Sequence, residues 1–257
     1  MIRLLALITG LTLLLANTAT AQCSRPLRVA MEDWPPYVYR DSRGAPTGLD
    51  IELLNAIVKA AGCTLQVLDD VPRSRRHLMH QRGELDLLLA ASVTDERKRY
   101  SRFTLPYRPE AVGIFARADE AARYDKLKGF DDILAQRIGL LTPNNGWYGD
   151  DYARHLSDLK ASGQLQHFET FTQGMRMLKA KRAELMMGDV GAMVYEARFN
   201  VKLAIQQLPL VPNEAPVHLM LSRASTTEAD LAALDAAITK LETNGTLGKL
   251  RQKYGLR

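Results

Sequence analysis

Apolar positions along the chain recur in two patterns. Short apolar runs at Leu27 to Met31, Thr64 to Leu68 and Leu85 to Ala91 read as strands, and the last, interrupted only by Asp86, reads as a buried strand of a parallel sheet. Between them the apolar residues take helical spacing. Ile51, Leu54, Ile57 or Val58, and Ala61 line one face of a helix over Asp50 to Ala61, which Gly62 stops. A second helix includes His77 to Gln81 and ends near Gly83. This β-α-β-α-β alternation predicts a parallel α/β unit with right-handed crossovers. Ala111 to Ala116 is an extended run leaving that unit, and the pattern then restarts. Strands are expected at Arg137 to Leu141, Gln166 to Glu169, Glu184 to Gly188 and Ala204 to Leu208. Helices are expected at Trp147 to Leu159, Thr172 to Ala180 and Val190 to Arg198. Val217 to Ser222 reads as a further strand. Ser225 and Glu228 read as a capping box for a helix carrying Leu231, Leu234, Ile238 and Leu241, and Asn244-Gly245 sets off a last short helix. The expected fold class is α/β, in two similar units.

Residues 1–21 have another character. Arg3 gives a positive start, Leu4 to Ala16 is apolar, and Ala19-Thr20-Ala21 is a small-x-small cleavage signal, so a secretory signal peptide and an exported, soluble protein are expected. The chain carries a formal charge of +5, which removal of 1–21 with its single charge at Arg3 lowers to +4. That balance is too even for a nucleic-acid binder. The densest basic cluster is Arg73, Arg75 and Arg76, with Arg82 beyond; a solvated helix face accounts for it as well as a binding patch does. His77 and His80, three apart on the same helix, read as a surface pair. Neither the histidines nor the cysteines show metal-ligand spacing, and no phosphate-binding glycine loop, G-x-S-x-G or H-E-x-x-H motif occurs, so neither metal nor cofactor is expected. Cys23 lies just before the first strand and Cys63 just before the second. Adjacent parallel strands start at one sheet edge, which predicts a Cys23–Cys63 disulfide in an exported chain. A free, buried Cys63 is the alternative.

Candidate chemistry concentrates in Gly83 to Tyr107, GELDLLLAASVTDERKRYSRFTLPY. The strand ends in Ser92 and Thr94, followed by Asp95, Glu96 and Arg97, the composition of a helix start. Free backbone N–H groups and a guanidinium at the carboxyl end of a strand make a site for a small anion. An ordinary strand-to-helix turn with a solvated Arg97 is the other reading.

In order along the chain, LRVAMEDWPPYVYR with GLDIELLNAI, then GELDLLLAASVTDERKRYSRFTLPYR, AKRAELMMGDVGAMVYE and LETNGTLGKLRQKYG resemble the periplasmic solute-binding proteins of amino-acid ABC transporters, the bacterial extracellular solute-binding family 3. The resemblance implies the two-lobed periplasmic-binding-protein (type II) fold, two α/β lobes joined by two hinge strands. Lobe 1 would comprise residues 22–114 and 214–257, and lobe 2 residues 115–213. It implies a periplasmic monomer that closes on an amino-acid-like solute and hands it to a membrane permease. Arg97 would pair with the ligand carboxylate, helped by Ser92, and Asp189 of the other lobe would hold its ammonium. Asp189 also reads as a plain helix N-cap. Trp34 and Tyr37 would sandwich the ligand body, with core packing as the alternative for both. Glu32, Asn145, Gly146, Trp147 and Arg73 complete the expected ligand-binding set.

Two departures bear on the ligand. The family's second lobe usually offers Gly-Ser or Gly-Thr at a helix start, where this chain has Thr142-Pro143-Asn144-Asn145-Gly146-Trp147-Tyr148, with donors but also the bulk of Trp147 and Tyr148. An aromatic residue common near Val71-Pro72 is replaced by Arg73 and Arg75, which favours an acidic ligand. Two other functions fit the same fold. One is an enzyme resembling cyclohexadienyl dehydratase, with Glu32 or Glu110 as the candidate acid. The other is a receptor reporting to a membrane sensor through a separate partner.

Overall fold

The computed structural model describes residues 23–69 and 71–255; the expected signal peptide lies outside them. The chain runs β1 (Leu27–Ala30), β2 (Tyr39–Arg40), β3 (Pro46–Thr47), α1 (Leu49–Ala60), β4 (Leu65–Leu68), α2 (Arg73–Gln81), β5 (Leu87–Ala91), α3 (Asp95–Lys98) and β6 (Ser101–Arg117). There follow α4 (Phe130–Ala135), β7 (Leu140–Pro143), α5 (Asp150–Ala161), β8 (Leu165–Phe168), α6 (Phe171–Lys179), β9 (Leu185–Asp189) and α7 (Val190–Tyr195). A π-helical turn over Glu196–Val201, β10 (Ile205–Gln207), β11 (Asn213–Ser222), α8 (Glu228–Thr243) and α9 (Thr246–Lys253) complete it.

The main sheet takes the order β4-β1-β5-β11-β6-β9-β7-β8, with β10 added to β6. The triplets β4-β1-β5 and β9-β7-β8 are each parallel, as the alternating elements predict. Between them stand β11 and β6, antiparallel to each other and to their outer neighbours. The strand β6 spans 17 residues, far beyond the expected run at Ala111 to Ala116. Pro106 and Pro109 both sit in the ladder to β11, which shifts register around His218.

Burial explains the strongest sequence signals. Asp86, the one charge in the apolar run before β5, is fully buried and held by Arg28 at 2.8 and 2.9 Å. One apolar cluster runs from Leu53 and Ile57 of α1 through Tyr37 to Phe168 and Met186, so both halves of the chain share core. A second gathers Ile114, Phe130, Leu140 and Tyr152. The C-terminal helices fold back onto α1, where Lys253 and Tyr254 bind Glu52 at 2.7 and 2.6 Å. Cys23 and Cys63 are disulfide-bonded, with Cα atoms 5.0 Å apart, as the common edge of β1 and β4 predicts.

Two helix starts differ from expectation. The capping box of α8 is Thr227 with Asp230, not Ser225 with Glu228. Asp230 is buried because Ser24 also binds it through N and Oγ, at 2.7 and 2.9 Å. The helix expected from Trp147 begins only at Asp150. Gly149 before it has φ 96°, and a side chain there would strike the Pro212 carbonyl, so the turn is completed before the helix starts. No helix among the described residues is long and apolar enough to cross a membrane.

Candidate functional site

The ends of β5 and β9 and the middle of β6 meet at a cavity of about 120 Å³. It is closed by α2, by Glu32 and Trp34 after β1, by the Asn145–Tyr148 loop after β7, and by Phe171 of α6. This is the carboxyl edge of two parallel triplets, where open α/β sheets present their loops and helix starts. Every residue expected to touch ligand lines it except Tyr37.

Arg97 is placed by a short local structure. Thr94 caps α3 by accepting from Arg97 N at 3.2 Å, and the Arg97 guanidinium donates back to Ser92 O at 3.0 Å. Among the described residues no carboxylate lies within salt-bridge distance of Arg97. Burial lowers its pKa from the usual guanidinium value, yet an arginine stays charged, so it waits as a desolvated cation.

Asp189 is the helix N-cap that one of its two readings expects, and it also reaches the cavity. Its Oδ1 accepts from Ala192 N at 2.8 Å and so caps α7, while the residue also lines the cavity. Burial pushes its pKa above the ordinary aspartate value, against the pull of Arg108. Glu110 lines the same wall. Burial pushes its pKa up to about 8; Arg108 opposes the shift, and the Asp189 charge adds to it. Arg108 sits 3.9 Å from Glu110 but is already engaged by Asp50 at 2.5 and 2.9 Å, with both side chains fully buried. Its charge is therefore largely spent on Asp50, which leaves the two cavity carboxyls competing.

Tyr37 departs from the expected role. It is 3 % exposed and lies behind the wall, with the Arg108 guanidinium 4.2 Å over its ring and Trp34 at 4.7 Å. Its hydroxyl is directed at Asp189 and fills the space a side chain at Gly191 would need. The core alternative holds for Tyr37, because the Arg108–Asp50 pair needs an aromatic lid more than the cavity needs a second ring. Trp34 alone of the two rings faces the cavity.

The helix α2 also departs from expectation. Arg76 is buried, ion-paired to Glu32, and donates to Val71 O and Met31 O, each at 3.2 Å. His80 is fully buried against Ser101 Oγ at 2.8 Å. His77 lines the cavity, and burial first, then Arg97, Arg73 and Arg76, pull its pKa down to about 4. The basic cluster is thus divided: Arg75 and Arg82 are exposed, as a solvated face predicts, whereas Arg73, Arg76 and His77 line the cavity and His80 is buried, so the surface histidine pair does not hold. The spacing of Arg73, Arg76, His77 and His80 marks one helix face, but nothing apolar on it says that it is buried. On the far side, Gly146 at φ 151° lies under the Tyr148 ring, whose hydroxyl donates to Asn145 O at 2.7 Å. Any side chain at 146 would displace that ring.

Sequence reasoning missed Arg76, His77, Val112 and Phe171 as wall residues, and placed Glu110 only as an acid for an enzyme. Glu110 stands beside Arg108 and Pro109, just before the apolar run Ala111 to Ala116, where nothing in the local pattern marks it as buried. Among the described residues no group of His, Cys, Asp and Glu is arranged to hold a metal ion.

Relatives share this architecture. A cyclohexadienyl dehydratase of Pseudomonas aeruginosa is 29% identical over 181 residues, covering 69% of this chain and 62% of the relative, so the match spans less than two thirds of that enzyme. An arginine-binding periplasmic protein of Mannheimia haemolytica is 24% identical, covering 74% of this chain and 73% of its own length. The crystal structure of a histidine kinase sensor domain with similarity to periplasmic binding proteins superposes with a TM-score of 0.76 at 21% identity, covering 91% of this chain and 97% of that one. The sequence model of bacterial extracellular solute-binding proteins, family 3, matches residues 27–257, and the chain belongs to that family.

Proposed function

We propose that the protein is a periplasmic solute-binding protein that captures a small zwitterionic solute, an amino acid or close derivative, and delivers it to an ABC transporter permease. The observation that carries this reading is that Arg97 and Asp189, a cation and a carboxyl from distant parts of the chain, line one cavity. Arg97 takes the ligand carboxylate with Ser92. Asp189 and Glu110 take the ammonium, which favours their ionised forms. Trp34 and Trp147 cover the ligand body. In this reading residues 22–114 and 214–257 form one lobe and 115–213 the other, working as a monomer after export. The crossings lie where Val112 and Ala111 of β6 pair with Asn213 and Glu214 of β11. Mass spectrometry of what co-purifies with natively prepared protein, then calorimetry with that compound, tests the binding. Small-angle scattering tests closure, and an unchanged radius of gyration at saturation would remove the hinge from the account.

Glu110 also favours a second reading, an enzyme of the dehydratase kind. A buried carboxyl still protonated near neutrality suits a general acid donating to a leaving hydroxyl. Turnover of prephenate or arogenate by the pure protein decides between the two.

A further inference from the structure

The cation wall holds more charge than one carboxylate needs. Arg73 and Arg97 both line the cavity, and among the described residues neither has a carboxylate within salt-bridge distance. Arg76, which also lines the cavity, is satisfied by Glu32. Arg73, Arg75 and Arg76 all fall at the start of α2, whose first turn contains no acidic residue. Cations at a helix N-terminus oppose the macrodipole, and an anion bound there relieves both charges at once. His77, one turn on from Arg73, presents its imidazole to the same space.

We propose that Arg73 and His77 form a second anion subsite beside Arg97, so that the ligand is a dicarboxylic amino acid rather than a neutral or basic one. This deepens the amino-acid reading above and rests on it. Arg97 takes one carboxylate, and Arg73 takes the other as a guanidinium fork, with His77 donating from its ring. The groups facing His77 are Arg73, Arg76 and His80 on its own helix, Arg97 of α3, and Glu32 through Arg76. That surrounding is cationic on balance, so the subsite accepts an anion and rejects a side-chain ammonium. The uncharged amide of the same shape leaves Arg73 without its counter-charge.

Isothermal titration of the whole mature chain with L-glutamate, L-glutamine, L-aspartate, L-asparagine, L-arginine and succinate tests this. Wild type should bind the acid of an acid–amide pair at least about 10-fold tighter than the amide. Arg73→Gln should reduce that ratio by about 10-fold or more, while Arg75→Gln, on the same helix but outside the cavity, should leave it unchanged. A wild-type preference for an amide or for arginine overturns the second subsite and leaves the amino-acid reading standing. So does an acid–amide ratio that Arg73→Gln does not move. Binding of succinate alone, sensitive to Arg73→Gln, upholds the subsite and removes the ammonium half of the reading above. Failure of every compound to bind overturns both.

Discussion

Glu110 and Asp189 share one face of the sheet, because Val112, two residues after Glu110, pairs directly with Asp189 across β6 and β9. Side chains of a strand alternate, so residues two apart point the same way, and directly paired residues share a face. Two carboxyls from distant parts of the sequence thereby meet in one wall, with Arg108, two residues before Glu110, behind them.

That pairing makes the stability of the unliganded protein sensitive to pH in a defined direction. The folded Glu110 keeps its proton up to about 8, whereas an unfolded glutamic acid loses it near the ordinary value of 4.5. Between those values the folded state binds more protons than the unfolded state, so this group's contribution to stability is lost as pH rises. Glu110→Gln lacks this loss. Its melting temperature relative to wild type should climb by several degrees, about 5 °C or more, between pH 5 and pH 8. Parallel melting curves for the two proteins would refute the buried, protonated Glu110.

Arg97→Ala should weaken binding of the native ligand about 30-fold or more, since a desolvated ligand carboxylate loses its partner at a cost of about 2–5 kcal/mol. The melting curve should stay near wild type, because Arg97 makes only local hydrogen bonds to the Ser92–Thr94 turn. Unchanged affinity by calorimetry would remove Arg97 from the site.

Asp189 has two duties that substitution separates. Asn caps a helix as well as Asp, so Asp189→Asn should keep α7 in place and still weaken an aminated ligand by about 30-fold or more. A plain carboxylic acid should bind the variant about as well as it binds wild type. Asp189→Ala should in addition cost about 1 kcal/mol of stability through the lost Ala192 N–H bond. Equal melting temperatures for the Asn and Ala variants would show that the cap is idle.

Asp50→Asn removes the counter-charge of Arg108, leaving a fully buried guanidinium beneath Tyr37. The expected loss is about 3–5 kcal/mol, read by urea denaturation. A loss under about 1 kcal/mol would mean that Glu110 ionises and takes over the pairing.

Reduction of Cys23–Cys63, or a Cys23→Ser/Cys63→Ser double variant, opens a loop with a sequence separation of 40. The chain-entropy account gives a loss of about 4 kcal/mol. Denaturant midpoints that coincide for oxidised and reduced protein would contradict it.

The sequence by itself determined the elements and their grouping. Apolar runs located β1, β4, β5 and β9 as strands, although β4 is an edge strand with Gln66 and Val67 exposed, and edge geometry paired Cys23 with Cys63. Local turn chemistry marked Ser92, Thr94 and Arg97 as one structure, as observed. What the pattern misassigned was polar and buried. Hydrophobic periodicity carries no signal for a face lined by Arg73, Arg76, His77 and His80, because burial there rests on ion pairing and hydrogen bonds with Glu32 and Ser101. Only Ala111 to Ala116 of β6 reads as extended, because the rest of that strand, with Pro106 and Pro109 in it, is held by a ladder to β11, remote in sequence. Tyr37 became core only because Arg108, remote in sequence, brings a buried ion pair that must be covered. The pattern of one segment reports how that segment meets solvent on average; which charges face each other depends on strand order and register, and those were settled only when the sheet assembled.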